Sequence, residues 1–317
     1  MKEMYIHLSL KYICRLFGKS RQGWYDLGQH QGHKEMKNGL ILSKVREIRT
    51  DFPKMGSVKL RVMIEKELQD HHLSLGRDTF LQLLRDHDLL IKKRRSYVRT
   101  TNSNHHFKKW PDLINRRPAT MAEEIWVSDI TYLRIKSGFV YLALVTDAYS
   151  RKIVGYNLSR NLKADGCIKA LKMAFDNRIY PQRPLIHHSD RGIQYCCDAY
   201  VRLLERHQIS ISMTQTGSPY DNAIAERING ILKMECGLDQ TFNSFQDAEE
   251  KVIEAVSKYN YRRPHFSCQL KTPQYTHAAT TENQVKQLQA NNPFRSSDFR
   301  PIANSGQVKP VETPKKQ

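Results

Sequence analysis

The sequence predicts an α/β protein, a mixed sheet flanked by helices and preceded by an all-α helix-turn-helix region, and three observations point there. Three segments rich in β-branched and aromatic residues follow one another between residues 125 and 159, and alternating helical and extended patterns come after them. Ahead of them lie three short stretches with apolar residues at helical spacing. The chain's 317 residues exceed what one core comfortably fills, so two folded units with flexible ends are expected.

The helical stretches fall at 38–51, 57–70 and 77–90, with stripes formed by Val45 and Ile48, by Val58, Val62, Ile64 and Leu68, and by Phe80, Leu83 and Leu84. Pro53 and Gly56 break the first pair, and Ser74 to Gly76 the second, which is the rhythm of a helix-turn-helix unit. Its third helix carries Arg77, Asp78, Thr79, Gln82 and Arg85, a polar face suited to a major groove and equally to the solvated side of a plain three-helix bundle. Residues 92–118 tip the balance, because they hold nine Lys or Arg, among them Lys92, Lys93, Arg94 and Arg95, against the single acid Asp112, with Tyr97, Phe107 and Trp110 interleaved. Such a run repels itself unless phosphates neutralise it, so it reads as a linker tracking a nucleic-acid backbone.

Strands are expected at 125–133, 139–149 and 152–159, with turns at Ser137-Gly138 and Ser150-Arg151. A helix follows at 164–177, a short strand at 185–190, a helix near 197–208 and a strand at 209–213, and two more helices fit 221–235 and 245–260. The expected organisation is a helical region at 1–95, a basic linker at 96–123, the α/β core at 124–280 and a polar, disordered tail at 281–317.

A formal net charge of +19 favours a polyanionic partner, DNA above all, with an acidic membrane surface the other reading that charge allows. No uncharged apolar run approaches the ~20 residues a membrane span needs, and the start of the chain lacks the pattern of an export signal, so a cytoplasmic, nucleoid-associated protein without membrane partner is expected. Six cysteines without CxxC pairing argue against a zinc site or a disulfide framework.

Three acids stand where strand ends or helix starts should expose them: Asp129 in WVSDITY, Asp190 after LIHHSD, and Glu226 beyond SPYDNA. Asp129 is flanked by Trp126, Val127 and Ile130, and a buried unpaired carboxylate costs several kcal/mol, so it calls for a cation or for a place at the surface. Asp190 ends an apolar strand, where α/β sheets present ligand groups. Thirty-five residues separate Asp190 from Glu226, and Lys233 follows seven residues after the glutamate, about two turns along the same helix face. Asp221 or Asn222 is placed to cap that helix.

This set resembles the D,D(35)E pattern of transposases and retroviral integrases, and WVSDITY, HSDRGIQY and SPYDNAIAERINGILK resemble the IS-three family of bacterial insertion-sequence transposases, downstream-frame product. The likeness covers most of the chain, from the helical stretches to YNYRRPH at 259–265. One departure is that Ile228 and Asn229 stand where the family commonly has an aromatic. The resemblance implies an RNase H-like core with a five-stranded mixed sheet, and Asp129, Asp190 and Glu226 as catalytic residues ligating two Mg²⁺ or Mn²⁺ ions. Two such ions about 3.5–4 Å apart activate an attacking oxygen and stabilise the leaving one. It further implies cleavage at the terminal inverted repeats of an element and transfer of the freed 3′-hydroxyl to target DNA. Joining two ends implies at least a homodimer, and the upstream-frame protein is a possible fusion partner.

Arg191, Tyr220, Asn222, Lys233, Arg77 and the Lys92–Arg95 run are the expected DNA contacts, with Asp147 and His188 expected to support the acids from behind. Two rival readings are a non-catalytic DNA-binding regulator, which predicts a broken triad, and an RNase H-like nuclease that cuts without joining.

Overall fold

The computed structural model describes residues 9–91, 106–215 and 222–279, apart from a few single positions. The Lys92–Arg95 run, the first ten residues of the basic linker (96–105), Tyr220, Asp221 and the polar tail lie outside the described residues. Among the described residues, no helix is long and apolar enough to cross a membrane.

The chain begins with α1 (Leu10–Leu16), α2 (Arg21–Asp51), α3 (Ser57–Asp70) and α4 (Arg77–Asp86). The three expected helices are present, but α2 starts 17 residues before the predicted position 38. Ser20 accepts a hydrogen bond from the Gly23 amide at 2.9 Å and caps that start, while the added turns hold polar pairs such as Gln22–Asp26 rather than an apolar stripe. Periodicity therefore could not reveal them.

The core runs β1 (Ile125–Ile135), β2 (Gly138–Asp147), β3 (Ile153–Ser159), α5 (Ala164–Asp176), β4 (Ile186–Ser189), α6 (Ile193–Cys196), α7 (Asp198–Arg206), β5 (Ser210–Met213), α8 (Ala223–Met234), β6 (Thr241–Phe242) and α9 (Phe245–Tyr261). Strand order is β3-β2-β1-β4-β5, with β2 antiparallel to both neighbours and β4 and β5 parallel to β1. This is the RNase H-like arrangement expected, with the two-residue β6 added beside the far end of β1. Arg151 takes φ 64° in the β2–β3 turn, as foreseen there.

Alternation along the strands divides the interior in two. One sheet face, with Leu133, Leu142 and Leu144, packs on α8 and α9 and on Ile41, Val45, Phe52 and Leu60 of the N-terminal helices in a single hydrophobic cluster. The opposite face, with Trp126, Ala143 and Val145, packs on α5 and α7. At Gly155 a Cβ would lie 2.1 Å from the Ala170 carbonyl oxygen, so only glycine lets α5 rest on β3.

Charge also ties the N-terminal helices to the core. Glu235, at the end of α8, accepts hydrogen bonds from Lys59 Nζ of α3 at 2.7 Å and from Arg263 Nε and Nη2 at 3.0 and 2.9 Å. Lys59 and Arg263 are buried, and Asp51 at the end of α2 pairs with Lys258 at 2.8 Å and with Arg262. Removing the anion from such a cluster leaves two buried cations facing each other. Glu235→Gln is expected to lower unfolding free energy by about 3–5 kcal/mol, read from urea denaturation, and a loss under about 1 kcal/mol would contradict the role given to this cluster.

Candidate active site

Asp129 projects from the middle of β1, opposite Leu144 of β2, on the face that α8 covers. Its carboxylate is half-buried and accepts two hydrogen bonds, from its neighbour's amide, Ile130 N–H at 2.8 Å, and from Asn229 Nδ2 of α8 at 2.8 Å. Asp190 follows β4, whose parallel pairing with β1 brings it beside Asp129. The Gly192 amide donates to Asp190 Oδ1 at 2.9 Å, and a Cβ on that glycine would sit equally close to the same oxygen, so a side chain there would press on the Asp190 carboxylate. Glu226 lies in the first turn of α8 and stays in contact with solvent.

The three acids act on one another. Burial raises the pKa of Asp129 to about 7, Asp190's charge adds to that, Glu226's adds further, and the two hydrogen bonds only partly offset it. Asp190 is raised by burial against the Gly192 amide, and Glu226 by burial and then by Asp190. Carboxylates that share a field in this way hold protons they would otherwise release, unless a cation relieves them. Their oxygens are the hard donors that suit a divalent ion such as Mg²⁺. Among the described residues, no three His, Cys, Asp or Glu side chains close into a ready-made metal cage.

The expected supporting residues divide. Lys233 shares the site: its Nζ stands 4.8 Å over the Tyr132 ring, burial lowers its pKa, and the charges of Asp239 and Asp129 oppose that. Arg191 is half-buried directly after Asp190. Asn222 is buried, and its Nδ2 donates to the Ser128 carbonyl at 3.0 Å, so it fastens the start of α8 to β1 instead of offering an open surface. It occupies the cap position without a side-chain cap bond. Arg77, Asp78, Thr79, Gln82 and Arg85 lie on the exposed face of α4, separate from the acids.

The two residues expected to support the acids make bonds elsewhere. Asp147 sits opposite Trp126, three residues back along β1 from Asp129, and accepts hydrogen bonds from Glu123 N, Ser150 N and Ser150 Oγ at 2.7–2.8 Å. With Glu123 and His277 it forms a separate buried group; burial opposes protonation of His277, but bonding to Asp147 and Glu123 raises its pKa. His188 bonds to Ser212 Oγ at 2.8 Å and lies 3.9 Å from the Asp112 carboxylate. Each is a strand-end polar residue whose sequence setting matches that of a site residue, and only tertiary pairing separates them.

Asn229 is the residue that sequence reasoning missed. It stands three positions after Glu226, hence on the same helix face, and that spacing was the available signal. His187 is also near, bridging Ser128 Oγ and Tyr200 Oη at 2.8 and 2.9 Å; burial and then His188 lower its pKa to about 3, so it is neutral there.

Residues 119–219 and 207–273 match two families, each described as Integrase core domain. An insertion element IS600 31 kDa protein of Shigella sonnei is 36% identical over 258 residues, covering 80% of this chain and 93% of that one. Transposase InsF for insertion sequence IS3A of Escherichia coli K12 is 30% identical over 269 residues, covering 82% and 91%. Among solved structures, the HTLV-2 integrase catalytic core domain in complex with magnesium is 18% identical, with a TM-score of 0.40, covering 50% of this chain and 98% of that one.

Because the proton held by Asp129 belongs to the folded state, stability is greatest below the ordinary carboxylate range and is lost as pH rises from about 4 to about 7. The loss is at most ~4 kcal/mol. Asp129→Asn removes this charge, and its amide can pair with Asn229 by a flip of that side chain. The metal-free variant is expected to melt above the parent at pH 8 and near it at pH 5; equal pH dependence in both proteins would refute the shift.

Proposed function

The chain belongs to the IS-three family of insertion-sequence transposases, and we propose that Asp129, Asp190 and Glu226 carry its polynucleotidyl transfer chemistry. The observation that carries this assignment is the mutual field of the three acids, held by β1, the turn after β4 and the first turn of α8. Oxygen-only donors with excess negative charge fit hard divalent cations, Mg²⁺ or Mn²⁺, and poorly fit softer metals. Bound there, a pair of such ions supplies an activated attacking oxygen and a stabilised leaving oxygen at a phosphodiester.

The chain's own residues do the positioning. Asn229 orients one oxygen of Asp129, and Ile130 N–H holds the other. The Gly192 amide does the same for Asp190. Asn222 fixes the start of α8 on β1, so Glu226 keeps its height above the sheet. Lys233, steered by Tyr132, directs one positive charge to the approach path of a DNA phosphate. In this reading Arg77 and the exposed α4 face, the Lys92–Arg95 run, Arg191 and Tyr220 engage the terminal inverted repeats or target DNA, and a synaptic complex holds at least two copies. The helical region serves end recognition, and the α/β core serves catalysis.

Asp190→Asn or Glu226→Gln is expected to reduce strand transfer of a pre-cleaved 3′-hydroxyl end by at least ~10³-fold while end binding stays within about threefold. Undiminished joining by either variant would overturn the assignment, and cleavage without joining by the parent would favour a nuclease. Mn²⁺ is expected to raise the melting temperature of the parent and not of a chain with all three acids neutralised. Lys233→Ala should weaken end binding and reduce the slope of log K against log salt by about one; an unchanged slope would remove this lysine from the phosphate path.

A further inference from the structure

Beyond the acids, β1 and β2 continue past the cover of α5 and leave an aromatic surface in reach of solvent. Tyr132 lies opposite Tyr141 and Arg134 opposite Phe139, so these four side chains share one face of the antiparallel pair. Phe139 is 48% exposed, Arg134 is exposed, and both tyrosines are half-buried. The Tyr132 and Phe139 rings meet edge to face at 5.7 Å, Lys233 Nζ stands 4.8 Å from the first ring, and the Arg134 guanidinium stands 5.4 Å from the second. Cation, ring, ring, cation thus run in sequence from the helix that bears Glu226 to the tip of the β1–β2 hairpin, where Lys136 adds another charge. Tyr141 extends the row into a shallow cleft with Ile130, Ala143, Asn161, Leu162 and Lys163.

A hairpin needs no such row for its own stability, and the side chains around the rings are mainly cationic; Asp129 and Asp239 are the acids whose charges act on Lys233. Rings in reach of solvent, with a cation over Tyr132 and another over Phe139, suit one class of ligand best, an unpaired nucleic-acid strand. Its bases stack on the rings while its phosphates meet the cations, without demand for a particular base. A protein partner would need a wider apolar area, and a duplex would bury its bases away from the rings. We infer that Tyr132, Phe139 and Tyr141, with Arg134 and Lys233, form a stacking ledge for single-stranded DNA leading away from the three acids. This rests on the transposase reading above: strands freed at a cut end need a place to lie clear of the reacting phosphate.

The test is binding, measured by fluorescence anisotropy without divalent ion, of the full chain to a blunt duplex and to the same duplex with a short 3′ thymidine tail. Chemistry is absent from this measurement, and repeating it with Asp190→Asn keeps failure of the ledge distinct from failure of the catalytic assignment. The tail is expected to strengthen binding ~10-fold, Phe139→Leu to abolish that gain while leaving the blunt duplex within about twofold, and Phe139→Trp to retain it. The salt slope should be unchanged by Phe139→Leu, because a ring releases no counterions. Equal weakening on both duplexes, no effect of Phe139→Leu on the tailed one, or loss of the gain in Phe139→Trp would each overturn the ledge.

Discussion

Three acids whose charges act on one another, two of them half-buried, form the constraint on which the rest of this structure depends. Left to themselves, Asp129, Asp190 and Glu226 would separate or keep their protons, and burial, with the charge of Asp190 added, pushes the Asp129 pKa up to about 7. Their separate origins prevent escape. Asp129 belongs to the central strand and is fixed by ladders to β2 and β4; Asp190 is bound into a turn by the Gly192 amide; Glu226 follows a helix pinned by Asn222. Two apolar clusters, one on each sheet face, supply the stability against which this repulsion is tolerated. In the function proposed above, a divalent cation would relieve this repulsion, and that relief would add to its binding.

Most of the core was legible because its strands carry strong local signals. Apolar and β-branched runs with Gly or Ser turns placed β1 to β5 within about two residues of where they stand. What failed to show had no local signal. The first half of α2 is polar, so it has no stripe, and β6 is two residues long, too short for any period. The acids drew attention by their spacing and by the motif it resembles, while local patterns did not show the sheet pairing that sets Asp190 on the strand beside Asp129.

The partners of those acids were not legible, for a physical reason. Asn229 and Asp129 are 100 residues apart and Lys59 and Glu235 are 176 apart, and no pattern within a helix marks such pairs. Asn229 stands where the resemblance led one to expect an aromatic, and that departure turns out to touch Asp129 itself. An aromatic ring there would have no hydrogen bond to give, so Asp129's second oxygen would lack the donor that now sets its direction. Asp147 shows the converse. A strand-end acid beside a Ser-Arg turn has the same sequence appearance as a ligand, yet its bonds go to Glu123 and Ser150.

One helix joins these themes. Along α8, Glu226, Asn229 and Lys233 fall on the side toward β1, while Ile228, Ile231 and Leu232 pack into the cluster shared with α2 to α4. At its end Glu235 binds Lys59 of α3 and Arg263 of the segment after α9. A shift of α8 by one residue rise, about 1.5 Å, would move Glu226 out of register with Asp129, and misplacement of that size is costly to a reacting geometry. The ion cluster and the apolar face resist such a shift from the far end of the helix, and the two asparagines resist it at the near end. The placement of α8, and with it Glu226, is therefore a property of the N-terminal helices as much as of the sheet: the packing that stabilises them is the packing that fixes this helix on β1.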